Sequence, residues 1–244
     1  MRLLRVYVAL PLKEHTEYIL AGATAHYLSS VLRVREGSPL VLFNGQGGQF
    51  EGLVQWVRKG RVQVRTVGYE AIERESPLTI CLGHSVCRGA RSDYVVQKAT
   101  ELGVARIDPL QTERTVVRVE SNRAVRRVAH WHSIAVRACE QCGRNRVPKV
   151  SSISYIADWL VRQPDNSSRL VLDRTAPRRV NGIPRPTGPV VVLAGPEGGL
   201  TSTELALAEA SGFSAVHLGP RTMRADTATI AGLVALQLQF GDLS

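Results

Sequence analysis

The chain has 244 residues, 31 Lys and Arg against 21 Asp and Glu, and a formal net charge of +10. That length holds one large domain or two modest ones, and an apolar share of 44% is enough for a real core. No apolar stretch approaches a membrane span and no signal peptide opens the chain, so the expectation is a cytoplasmic protein without a membrane partner. The excess of basic charge implies a polyanionic partner, most often nucleic acid.

Residues 1–69 read as β. Short apolar alternations over 5–10, 40–43, 49–56 and 61–67 are separated by turn signals such as Asn44-Gly45-Gln46-Gly47-Gly48, with one helical stretch over 24–32. A small barrel is the natural packing for such strands. Residues 69–77 are polar and charged and read as a linker. The rhythm then changes to strand–helix alternation. The expected elements are an apolar run at 78–82, a helix over 92–102, a strand at 105–109 and a long helix over 122–142. Val125, Val128, Ala129, His132, Ile134, Ala135 and Ala138 fall on or near one side of that long helix. Buried strands follow at 170–172, 190–193 and 215–218. Thr201-Ser202-Thr203-Glu204 is a capping box that opens a helix to Ala210, and 225–240 is a long apolar final helix. The pattern predicts an α/β fold with a mostly parallel sheet.

Basic charge is concentrated in Arg114, Arg118, Arg123, Arg126, Arg127, Arg137, Arg144, Arg146 and Lys149, with Glu120 and Glu140 as the acids between them. Arginine suits bidentate phosphate contact and stacking on bases. Cys139-x-x-Cys142 has a redox or half-zinc spacing, but it lies in a helical pattern, and Cys81 and Cys87 have the wrong spacing to complete a zinc ribbon. No metal site is expected. His130 and His132 are two apart on a helix and diverge, so they do not form a ligand pair.

Two strand ends carry the chemistry. The run 190–194 enters Gly195-Pro196-Glu197-Gly198-Gly199, and 215–218 enters Gly219-Pro220-Arg221-Thr222-Met223-Arg224. Both loops belong at the carboxyl edge of a parallel sheet, where open α/β folds bind ligands. The first loop has no Lys or Arg and carries Glu197, which repels a di- or triphosphate; it matches neither nucleotide-loop fingerprint. A phosphate-free or cationic ligand fits better. In the second loop Arg221 and Arg224 sit near a helix start, where the macrodipole favours acids. Their position implies work on an anion.

The loop from Gly195 to Leu200, followed by 218–228, resembles the SPOUT-class RNA methyltransferases. More narrowly, it is similar to the bacterial family that methylates N3 of uridine in 16S ribosomal RNA. Residues 97–104 with Thr112-Glu113-Arg114, residues 140–144, and an N-terminal block of 25–28, 31–33, Gly37 and 43–45 carry the same likeness over nearly the whole chain. Asp226 stands where that family usually has glutamate, and Met223 where it has leucine or isoleucine. The resemblance implies a PUA-like barrel that helps hold RNA over residues 1–70. It implies a methyltransferase domain over 71–244, with a deep C-terminal trefoil knot roughly over 168–244, and a homodimer packed through the final helices. It also implies S-adenosylmethionine bound by Leu172, Gly195, Pro196, Glu197, Gly198, Gly199, Leu218, Gly219 and Met223, with Leu193 packed beneath. Arg33, Lys98, Arg114, Arg123, Arg127 and Arg144 are the expected RNA contacts, with Glu101, Glu113 and Glu140 read as ion-pair partners that orient Lys98, Arg114 and Arg144. Uracil N3 must lose a proton before it attacks, so a cation that stabilises the ring anion is required. Either Arg221 or Arg224 does this and the other holds a flanking phosphate; Asp226 orients an arginine or accepts the proton. The alternatives are a SPOUT enzyme with another RNA target and a non-catalytic RNA-binding assembly factor.

Overall fold

The computed structural model describes residues 3–58, 60–115 and 121–243. Arg118 and Glu120 of the basic window lie outside them. The chain divides into two compact units, Met1–Glu75 with Cys139–Val147, and Ser76–Ala138 with Pro148–Ser244.

In the first unit, β1 (Leu4–Tyr7), β2 (Glu17–Leu20), β3 (Pro39–Phe43), β4 (Gln49–Arg58) and β5 (Arg61–Glu70) form a sheet in the order β1-β3-β4-β5-β2. Only the β1–β3 pair among these is parallel. Helix α1 (Gly22–His26) runs into a π-helical turn, Tyr27–Val31. All five strands and this helical segment give residues to one core, including Val6, Leu20, Leu28, Leu42, Val54 and Val64. Residues from every strand meet in one core when the sheet is rolled, and bulges at Glu51/Gly52 and Val54/Trp56 supply local bending. β2 is an unanticipated strand: a four-residue stretch with two exposed positions gives little periodic signal.

The segment expected as a linker is instead pinned. Asn145 donates to the Ile72 carbonyl, Arg74 to the Gly143 carbonyl at 3.0 Å, and Arg144 to Glu75 at 2.6 Å. Its charges serve these bonds, so polarity here does not signal freedom.

The second unit is α/β, as expected. In chain order it comprises β6 (Ile80–Ser85), α2 (Arg91–Glu101), β7 (Arg106–Gln111), α3 (Ser121–Cys142, whose last residues belong to the first unit), β8 (Lys149–Val150), β9 (Ser154–Tyr155) and α4 (Ile156–Leu160). Then come β10 (Ser168–Leu172), β11 (Arg178–Arg179), β12 (Val190–Ala194), α5 (Ser202–Ala210), β13 (Ser214–His217) and α6 (Ala225–Phe240). The sheet runs β11-β13-β10-β12-β6-β7-β8, with β9 also on β7, and its pairs are parallel. β12 lies in the middle and is buried on both faces, which is why it reads as an unbroken run, Val-Val-Val-Leu-Ala.

On one face Val171, Val191 and Leu193 pack with Trp159, Phe213 and Ala208. On the other, α6 packs against β10 and β12. The approach is close at Gly232, where an added Cβ would stand 3.0 Å from Leu172. At the far end of α6 the buried Gln237 donates to the Leu102 carbonyl at 2.6 Å and accepts from Ser76 at 2.7 Å. The inward stripe of α3 is Trp131, Ala135, Ala138 and Cys139; Val125, Ala129 and His132, expected on the apolar side, are exposed. Trp131 sets this phase because its indole N–H reaches Asp93 at 2.9 Å, and Asp93 also faces His130 at 3.0 Å.

Candidate active site

Three loops meet at the carboxyl ends of β10, β12 and β13 and surround a cavity of about 430 Å³. The first, after β12, is held tight by its glycines. A Cβ at Gly195 would crowd the Leu200 side chain at 3.1 Å and its backbone nitrogen at 3.2 Å, and Gly199 has φ 70°. The second, after β13, turns at Gly219 (φ 128°), whose N–H donates to His217 Nδ1 at 3.1 Å. The third, after β10, is an Asx turn in which Asp173 accepts from Thr175 N–H at 3.0 Å. Sequence reasoning missed this loop; the signal was Asp173 directly after the buried run 170–172.

Leu172, Gly195, Pro196, Glu197, Gly198 and Gly199 all reach the cavity wall, as do Leu218, Gly219, Arg221 and Met223. The interior is apolar where Leu172, Ala194, Leu205, Val216 and Ala228 line it. Leu193 does not line it. Side chains alternate along β12, so Ala194 faces the cavity and Leu193 lies in the core with Trp159 and Phe213.

The Thr112-Glu113-Arg114 block is fastened to the first loop. Arg114 Nη1 donates to the Gly198 carbonyl at 2.8 Å, and the Glu113 N–H donates to Glu204 Oε1 at 2.8 Å. Glu204 is also the acid of the expected capping box: Thr201 Oγ1 accepts from its N–H while its Oε2 accepts from the Thr201 N–H.

A second, open groove adjoins the cavity and is lined by Arg88, Arg91, Tyr94, Glu197 and Asp226, with Glu197 common to both. Glu197 does not present a free carboxylate, contrary to the charge argument from its loop. Arg91 Nη1 lies 2.7 Å from its Oε1, and the Arg88 N–H donates to it at 3.3 Å. Burial raises its pKa, but hydrogen bonds from its own backbone, Arg91 and Arg88 outweigh that and hold it below the usual carboxylate range. Cys87 is pushed up to about 12 by burial and by the charge of Glu197, so its thiol is no nucleophile at neutral pH.

Among the described residues, neither Arg221 nor Arg224 has a carboxylate partner. Arg221 is part of the cavity wall, while Arg224 is the exposed N-cap of α6. Asp226, in the first turn of α6, lines the groove, and its Oδ1 is buried without a hydrogen-bond partner.

The expected RNA contacts divide. Arg33 is exposed with φ 51°, a left-handed backbone that a non-glycine residue adopts at a cost. Arg123 is exposed on α3. Arg127 stacks over Trp131 at 5.2 Å and reaches the Cys87 carbonyl at 3.4 Å, which brings the basic half of α3 beside the groove. Lys98 pairs with Glu101 at 2.8 Å, as expected. Arg144 cannot serve as a surface contact. It is 3% exposed and its guanidinium is held by Glu75, because the folded-back segment 139–147 needs an internal cation there. No group of three potential metal-ligating side chains occurs among the described residues, and no helix among them is long and apolar enough to cross a membrane.

A family model described as an RNA methyltransferase domain matches residues 74–237, and one described as an RNA methyltransferase PUA domain matches residues 20–67. Two proteins named ribosomal RNA small subunit methyltransferase E are among the relatives. That of Buchnera aphidicola is 31% identical over 243 residues, covering 100% of this chain and 99% of its own. That of Bacillus subtilis is 28% identical, covering 93% of this chain and 92% of its own. Among solved structures, the enzyme of that name from Neisseria gonorrhoeae bound to S-adenosyl methionine is 34% identical with a TM-score of 0.94, and a Legionella pneumophila methyltransferase with bound SAM is 35% identical with a TM-score of 0.95. Both cover 100% of each chain.

Proposed function

This chain belongs to the RNA methyltransferase family, and we propose that it uses S-adenosylmethionine to methylate N3 of one uridine in 16S ribosomal RNA of the small subunit. The observation that carries the reading is the cavity where the three loops converge, apolar within and backbone-lined at its glycines, adjoining a groove that holds two carboxylates and two arginines. The residues present suit the cofactor. An adenosyl group needs apolar walls and peptide groups for its ring edges, which Leu172, Val216 and the glycine loops offer. When bound, S-adenosylmethionine supplies a methyl group on a sulfonium centre.

The remaining work falls to the protein. One of Arg221 and Arg224 faces the uracil ring and stabilises the negative charge left when the N3 proton departs; the other holds a neighbouring phosphate. Asp226, on the groove side, orients that arginine or takes the proton. The groove holds N3 in line with the methyl group and excludes water. A base-paired uracil hides N3, so the target nucleotide is unpaired or flipped out. Arg33, Lys98, Arg114, Arg123 and Arg127 hold RNA, with residues 1–70 as a PUA-like barrel and 71–244 as the SPOUT-type catalytic domain.

In the same reading residues 168–244 are tied in a trefoil knot and the enzyme is a cytoplasmic homodimer. Supporting the dimer, α6 is apolar nearly all round yet leaves Leu238 half exposed and Val234 and Ala235 only partly covered, a face suited to a second copy. Nucleoside mass spectrometry of ribosomal RNA from a deletion strain tests the function. Loss of 3-methyluridine from one small-subunit site is expected; an unchanged 3-methyluridine level overturns it.

A further inference from the structure

Tyr94 is an aromatic ring that the packing of α2 does not use. The helix buries Ser92, Val95, Val96, Ala99 and Thr100, and Tyr94, off that stripe, is 47% exposed. It lines the open groove, of about 680 Å³, together with Arg88, Arg91, Glu197 and Asp226. Lys98, one turn onward, sets its Nζ over the ring at 5.9 Å from the centroid. Both carboxylate oxygens of Glu101 hold that ammonium, at 3.0 and 2.8 Å. The groove residues Ala90 and Arg91 lie one turn back. Residues three and four apart share a helix face, so Arg91, Tyr94 and Lys98 make one outward row of cation, ring and cation. The ring face away from Lys98 is therefore the one turned to the groove.

The charges of the groove decide what that face can meet. Arg91 is paired with Glu197 at 2.7 Å, and Asp226 is the second acid. Their carboxylates repel a phosphate at that end, whereas a nucleobase is neutral and planar. Cations for the phosphates stand alongside. The Arg88 side chain is exposed and has no carboxylate partner among the described residues. Arg127 reaches the carbonyl of Cys87, the residue before it, at 3.4 Å. An aromatic face set among arginines takes an unpaired base by stacking and its phosphates by charge. A lone tyrosine on a surface carries no such meaning. This one lies in a groove that shares Glu197 with the cavity where the three loops converge.

We propose that Tyr94 is the stacking platform for the unpaired target uracil, its ring holding the base flat in the groove while Arg88 takes an adjoining phosphate. This rests on the function proposed above. Every base has a π-face, so Tyr94 holds the base without selecting uracil. A flipped base that is held flat has lost the rotational freedom that in-line methyl transfer cannot tolerate.

The test compares wild type, Tyr94→Leu and Tyr94→Phe, each first checked for cooperative unfolding. Fluorescence anisotropy measures their binding to a short oligouridylate and to a ribose-phosphate oligomer of the same length without bases. The wild type is expected to prefer the base-bearing oligomer. Tyr94→Leu loses on the order of 10-fold in affinity for it and less than about twofold for the abasic one. Tyr94→Phe, which keeps the ring, retains most of the affinity. Equal wild-type affinity for the two oligomers, or a Tyr94→Leu loss that is the same on both, overturns the proposal, because a structural or purely electrostatic role is blind to the base. Single-turnover methylation of small ribosomal subunits then asks which base is stacked. Tyr94→Leu is expected to lower the rate at saturating RNA and cofactor by on the order of 10-fold; an unchanged rate overturns the assignment to the target uracil. If the wild-type protein methylates no uridine, the reading of function fails and the oligomer binding alone decides whether Tyr94 stacks a base.

Discussion

Glu204 Oε1 accepts the backbone N–H of Glu113 at 2.8 Å while its Oε2 closes the capping box of α5. One buried carboxylate thus fixes a helix start and the turn that carries Arg114 to the Gly198 carbonyl. Glu204→Ala removes the side-chain half of the capping box and leaves the Glu113 N–H without its acceptor, a loss of about 1–2 kcal/mol. Urea unfolding should show this, and calorimetry should show weaker binding of S-adenosylmethionine because the first loop loses its fastening.

Acid should destabilise the protein through His84. Its pKa falls from 6.5 to about 4 on folding, with burial as the main cause. Between those values the unfolded chain binds a proton that the native protein refuses, so stability drops as pH is lowered through that window, by at most about 1.4 kcal/mol per pH unit. Glu197, whose pKa is lowered in the fold, adds a loss of the same sign at more acidic pH as its carboxylate is protonated. Urea midpoints between pH 7 and 5 should decline in the wild type and decline less in His84→Gln.

Gly232→Val tests how closely α6 approaches β10. The new side chain meets Leu172, already 3.0 Å from a bare Cβ, and Leu172 lines the cavity. Overpacking of this kind costs about 1–3 kcal/mol. The displaced leucine should weaken cofactor affinity more than a surface substitution of equal stability cost, as calorimetry on both variants would reveal.

Arg123 and Arg144 should separate RNA binding from folding. Arg123→Ala removes an exposed cation and should lower RNA affinity, reducing the slope of log K against log salt by about one. Arg144→Ala strips Glu75 of its buried partner and should cost about 3 kcal/mol of stability. Salt-dependent binding isotherms and denaturant melts distinguish the two.

Local signals carried much of the fold. The final helix runs over 225–240 as read, the capping box closes as read, and β12 appears where an unbroken apolar run had to be buried on both faces. The two glycine loops are likewise at strand ends beside one cavity. What escaped depends on distance along the chain. Glu197 meets Arg91 across 106 residues, and Arg144 meets Glu75 across 69; no local pattern encodes either pair. Two-residue strands such as β8, β9 and β11 have too little length for a period. The phase of α3 was misjudged because Val125 is apolar yet 71% exposed, while a single large residue, Trp131, sets the buried stripe.

Apart from Arg114, every wall of the cavity comes from residues 172–228, and α6, which supplies Ala225 and Ala228, is secured near its far end by Gln237 bonded to Ser76 and Leu102. During synthesis, therefore, the β-rich first unit has most of its strands long before there is anywhere for a methyl donor to sit. The cavity stays incomplete until α6 has been made and its glutamine has found partners more than a hundred residues upstream. Ligand binding can then report on completion of the whole fold, and a nascent chain truncated before α6 should be blind to S-adenosylmethionine.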